Sequence, residues 1–160
     1  MIAPLYFFHS MSKESPALVA GQVGCAAALV LLADWAPVIE APGSHAVALA
    51  AIVGGVAFGV WSILAVGMRR VSVMPELREN AELVTNGPYR LVRHPMYFAL
   101  LTACGGLTFL PFALWRLGCW VALALILARK TVLEERQLRA RFSAYAAYAA
   151  KTRRLLPLIW

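Results

Sequence analysis

Arg90, Arg93, His94 and Pro95 stand at the threshold of an apolar run, in the stretch NGPYRLVRHPMYFALL from Asn86 to Leu101. The residue before a proline avoids the α conformation, and proline is favoured in the first helical turn. The spacing predicts a helix starting at Pro95, with His94 near its N-cap. Unpaired N–H groups and the positive dipole end of such a helix, beside two arginines, suit a carboxylate or phosphate. A plainer reading stands next to this one, because basic residues at a helix entrance also serve as interfacial anchors.

A second constellation is Glu134-Glu135. Glu135 has a local partner in Arg139, four residues on and in the better orientation for an ion pair. Glu134 has only Lys130, four residues earlier and in the weaker orientation, so a cationic ligand group would complete either carboxylate. Phe142, Tyr145 and Tyr148 offer an aromatic wall or, more plainly, packing. Anion recognition on one wall and carboxylates on another suit a zwitterionic cofactor. The chain contains no GxGxxG, Walker loop, GxSxG elbow or HExxH. Cys25, Cys104 and Cys119 are far apart in apolar stretches, and His9, His45 and His94 lack ligand spacing. Free thiols and no metal site are expected.

These side chains must be positioned by largely apolar elements. The 160 residues are 61% hydrophobic and 14% charged, with mean hydropathy +0.70; a soluble domain has about 25% charged residues. A membrane span needs about 20 apolar residues. Pro16–Ala33, Ala46–Met68, Met96–Phe112 and Ala113–Ala128 are the candidates, the last two short and joined as a hairpin. Gly54, Gly55 and Gly59 would let the second span approach a neighbour closely. The residues from Leu127 onward read as an amphipathic helix continuing span four into the cytosol, with Leu138, Phe142, Tyr145 and Ala149 on one face, stopped by Pro157.

The expected architecture is therefore all-α: a multi-pass membrane protein with about four spans and this C-terminal helix, forming one domain. Within it, residues 1–68 form a two-helix hairpin and 83–157 a core. The first 16 residues do not read as a cleaved signal peptide. The net charge is +7, and all but Arg116 of the 15 Lys and Arg residues precede span one, separate spans two and three, or follow span four. The positive-inside rule would place both termini and the Arg69–Arg93 linker in the cytosol. Membrane lipids, rather than nucleic acid, are the partners expected of these bases.

The segments LVTNGPYRLVRHPMY (Leu83–Tyr97), EERQLRARFSAYAAY (Glu134–Tyr148) and RRLLP together resemble the core of the isoprenylcysteine carboxyl methyltransferase family. Membrane phospholipid N-methyltransferases share the general plan. The resemblance covers about the last half of the chain and implies an S-adenosylmethionine-dependent enzyme with a lipophilic acceptor. It implies cofactor contacts at Tyr89, His94, Pro95, Tyr97, Glu134, Glu135 and Tyr145, and catalytic roles for Arg93 and Glu134. His94 would take the cofactor carboxylate and one glutamate its ammonium or ribose, with Tyr145 beside the adenine. Arg93 would grip a carboxylate acceptor at two points, or Glu134 would take the proton of an amine acceptor. Ala99 and Ser143 depart from the family's usual glycines. Two rival readings are an NADPH-dependent sterol-reductase-like protein and a non-enzymatic membrane scaffold.

Overall fold

Proline and glycine punctuate the helices. In the computed structural model, which describes residues 14–34, 45–67 and 83–156, α1 (Ser15–Leu31) carries Pro16 in its first turn. Helix α2 (Ala46–Val66) ends at Gly67, whose φ of 88° continues no helix and whose N–H reaches Ile63 O at 2.9 Å. A short 3-10 turn, Gly87–Arg90, leads into α3 (Pro95–Thr108), which begins at the proline. Helix α4 (Leu114–Arg141) follows, and α5 (Tyr145–Lys151) closes the order.

The first two helices take separate main partners: α2 lies along α3, and α1 along α4. Small residues permit the α2–α3 approach. A Cβ on Gly106 would stand 2.5 Å from Ala48 O and 2.7 Å from Ile52 Cγ1, and one on Gly55 would meet the Ala99 and Ala103 backbone at 2.8 and 2.7 Å. Gly59 approaches Ala99, whereas Gly54 faces open space. Gly106→Ala should therefore force the helices apart and cost about 1–3 kcal/mol, the scale of overpacking. Thermal melts of protein purified in mild detergent would measure this; an unchanged melting temperature would refute the close packing.

Leu29, Leu101, Cys104, Leu107, Leu123, Leu127 and Leu155 form the core, joining α1, α3, α4 and the C-terminal segment. Cys104 is buried, Cys25 and Cys119 are half-buried, and all three are free thiols.

The four-span architecture is not what the described residues form. Among the described residues only α2, 21 residues long, is long and apolar enough to cross a membrane, and only 11% of its most apolar stretch is buried in the protein. Helices α1 and α3 stop at 17 and 14 residues, which at 1.5 Å per residue fall short of the roughly 30 Å hydrocarbon core. Helix α4 is longer, but Arg116, Arg129 and Lys130 bracket its apolar half. With the span count goes the multi-pass localisation, because placing both termini and the cofactor site in the cytosol required an even number of crossings.

The C-terminal helix also differs: α4 runs unbroken to Arg141, then extended backbone at Phe142 (φ −115°, ψ 111°) separates it from α5. Residues 1–13, 35–44 and 68–82 and Pro157 lie outside the described residues, and with them the N-terminal stretch, much of the linker and the expected helix stop.

Candidate functional site

Four segments converge at the start of α3. The 3-10 turn buries Tyr89. The extended residues after it pair with the tail, a parallel bridge joining Val92 to Arg153. Arg93 N–H donates to Arg153 O at 2.8 Å, and His94 N–H to Arg154 O at 3.1 Å. The tail thus takes the His94 donor that local sequence leaves open for an anion. Tyr97 and Phe98 N–H both turn back onto His94 O at 3.1 Å. Pro95 is fully buried and contributes by starting the helix. Inside the first turn the His94 and Tyr97 rings lie nearly parallel, 5.7 Å apart.

The two adjacent glutamates of α4 have different surroundings. Glu135 accepts from Arg93 Nε at 2.8 Å and from Arg154 Nε and Nη2 at 3.1 and 3.0 Å. Arg139, its expected helical partner, is farther off at 3.8 Å. Burial alone would raise the Glu135 pKa, but His94, Arg154 and Arg93 together hold it well below the ordinary carboxylate range. Glu134 accepts from the Tyr97 phenol, and its Oε2 lies 3.2 Å from His94 Nδ1. Its side chain is 18% exposed against 4% for Glu135, so Glu134 is the carboxylate with room for a further partner. Burial pulls the His94 pKa down, and the contacts with Glu134 and Glu135 more than offset this, for a net rise towards the cationic form.

Arg93 is heavily engaged. Besides Glu135, its Nη1 donates to Ala149 O at 2.9 Å and to Thr152 O, gripping the C-terminal end of α5. Tyr148 donates to Tyr89 O at 2.7 Å, tying α5 to the 3-10 turn. Burial drives the Tyr148 pKa up to about 12, so it stays a donor at neutral pH. Tyr145 is fully buried, with the Arg139 guanidinium 5.5 Å from its ring centroid.

Two buried polar atoms here have no hydrogen-bond partner: His94 Nε2 and Tyr145 Oη. His94 Nε2 does lie 3.5 Å from Glu135 Oε1, close enough for ionic attraction but not aligned as a hydrogen bond. Leaving a buried polar group unpaired costs about 1–3 kcal/mol, and such groups mark places for a ligand or water.

The residues singled out from sequence, Tyr89, Arg93, His94, Pro95, Tyr97, Glu134, Glu135 and Tyr145, thus meet in one cluster. Sequence reasoning missed Arg154, which shares Glu135 with Arg93, and the contact of Lys130 with Tyr97. The RRLLP segment was a signal for the first. A lysine spaced one turn before Glu134 was the only signal for the second. Among the described residues no group of three His, Cys, Asp or Glu side chains gathers as a metal site.

The described helices thus carry a carboxylate, histidine and tyrosine cluster at the start of α3. The chain belongs to the phospholipid methyltransferase family, which residues 44–144 match. That is the broad grouping the motifs suggested, without the isoprenylcysteine subtype. The chain is also similar to the cobalt-zinc-cadmium resistance protein CzcN of Cupriavidus metallidurans, 38% identical over 82 residues. The matched segment is 50% of this chain but only 38% of that protein. No solved structure matches the chain.

Proposed function

We propose that the chain is an S-adenosylmethionine-dependent methyltransferase whose acceptor is the amine of a phospholipid or a similar lipid. Family membership supports the methyl-transfer class. The observation that carries the cofactor reading is the pair of buried atoms without a hydrogen bond, His94 Nε2 and Tyr145 Oη, with the part-exposed Glu134 carboxylate next to His94. The set fits the cofactor's chemistry: an imidazole N–H for its carboxylate, Glu134 for its ammonium, and a buried phenol for a polar edge of the adenosine. When bound, the cofactor supplies an activated methyl group on sulfur.

The chain's own task is to orient and to exclude water, since in-line transfer depends on alignment. Arg93 and Glu135 do this by fastening α3, α4 and α5 together. The engagement of Arg93 bears on the acceptor. A prenylcysteine carboxylate would need the two-point grip expected of Arg93, whose guanidinium already forks onto Glu135 and two backbone carbonyls. An amine needs no such grip, which favours the phospholipid acceptor over the isoprenylcysteine one.

Calorimetry with S-adenosylhomocysteine tests the reading. Glu134→Gln and His94→Ala should each weaken binding by about 10- to 100-fold, the scale of one lost charge-assisted contact. Labelled methyl should then pass to amine-headgroup phospholipid and not to a prenylcysteine. Failure of the folded wild-type protein to bind would sink the proposal, whereas methylation of the prenylcysteine instead would reverse the choice of acceptor.

A further inference from the structure

Lys130 is fully buried on α4, one turn before Glu134. An ammonium is costly to bury unless other groups receive it, so a role in packing alone does not account for a lysine here. Its Nζ donates to Gln22 Oε1 on α1 at 2.6 Å. It also stands 5.2 Å from the centroid of the Tyr97 ring, within the range of a cation–π contact. The phenol of that ring donates to Glu134. A continuous path therefore runs from Gln22 through Lys130 and Tyr97 to the carboxylate assigned above to a cation. Its first member lies on a helix outside the residues that match the family, which begin at 44.

We infer that Lys130 is a positioning residue, and that α1 belongs to the binding unit through Gln22. Held by the amide oxygen, the ammonium fixes the Tyr97 ring, and the ring presents its phenol to Glu134. Loss of the amide acceptor weakens that hold, so the ring shifts and its phenol is less well placed to orient Glu134. The inference rests on the reading that Glu134 receives a cationic part of the ligand. It adds a requirement for α1 that the family match does not contain.

The test removes the amide without touching the site. Gln22→Met keeps the side-chain volume and deletes the acceptor, Gln22→Asn withdraws it by one methylene, and Gln22→Glu keeps an acceptor oxygen. Two readouts are used: S-adenosylhomocysteine affinity by calorimetry, and the Tyr97 ring signals of carbon-13 tyrosine-labelled protein without ligand, assigned by Tyr97→Phe. Gln22→Met and Gln22→Asn should each weaken binding about tenfold, the scale of one charge-assisted hydrogen bond, and shift the Tyr97 signals. Gln22→Glu should restore both. In a Tyr97→Phe background Gln22→Met should add nothing further, because both variants break the same path.

Unchanged Tyr97 signals in both Gln22→Met and Gln22→Asn would overturn the inference, as would additive effects in the double variant. A wild-type protein that binds no S-adenosylhomocysteine overturns the functional reading instead. The ring signals then still decide whether α1 positions Tyr97.

Discussion

Glu135→Gln should lower stability by about 3–5 kcal/mol, the cost of removing one partner from a buried ion pair. Glu135 is the common acceptor for Arg93 and Arg154, with His94 Nε2 at 3.5 Å, and its side chain is only 4% exposed. A neutral amide in its place would leave these cations facing one another in a site with little water. Arg93 would also lose the anchor that aligns it on the α5 carbonyls, so α5 should loosen first.

The same pair of groups sets a pH dependence. The folded pKa of Glu135 lies well below its ordinary 4.5. Its contribution is therefore complete above about pH 4.5 and is lost as pH falls through the depressed value. The folded pKa of His94 lies above its ordinary 6.5. Its contribution is complete below about pH 6.5 and is lost as pH rises through the raised value. Melting temperature should thus peak between the two limits. Glu135→Gln should lower the peak and flatten the acid limb. A variant that melts like wild type at pH 6 would show that the arginines find other acceptors and that the cluster is not held by this carboxylate.

Arg116→Met should be nearly as damaging, at about 3 kcal/mol or more, since each buried carbonyl left unpaired costs about 1–3 kcal/mol. Arg116 is buried at the first turn of α4, where its Nη1 donates to Leu110 O and to Pro111 O at 3.1 Å. A longer contact from Nη1 reaches Leu107 O at 3.5 Å, and Nη2 donates to Leu32 O just past α1. One guanidinium therefore closes the ends of α1 and α3. Arg116→Lys should recover only part of the loss, because a point-like ammonium cannot fork across both groups. Chemical denaturation of the two variants would measure this. If Arg116→Lys were indistinguishable from wild type, the fork would carry no weight, and a single positive charge at the helix ends would explain the residue.

What the sequence determined by itself was local. Pro95 sets the start of α3 because its ring forbids the preceding helical turn, and His94 therefore falls at the N-cap. The types and order of the residues that cluster at the start of α3 were also legible, because the RHPMY and EERQ segments carry them in adjacent positions. The number of spans was not legible. Hydropathy reports which residues avoid water but not where a helix stops, and α1 and α3 stop short of a bilayer's thickness. Nor could spacing tell the two glutamates apart. Helical periodicity offered Arg139 to Glu135, whereas its closer partners, Arg93 and Arg154, come from 42 residues before and 19 residues after it. Gln22 reaches Lys130 across 108 residues. Such contacts form only after the helices have packed, and their sequence separation leaves no periodic trace. Tertiary structure alone therefore decided which carboxylate is saturated by arginine and which has room to meet a ligand.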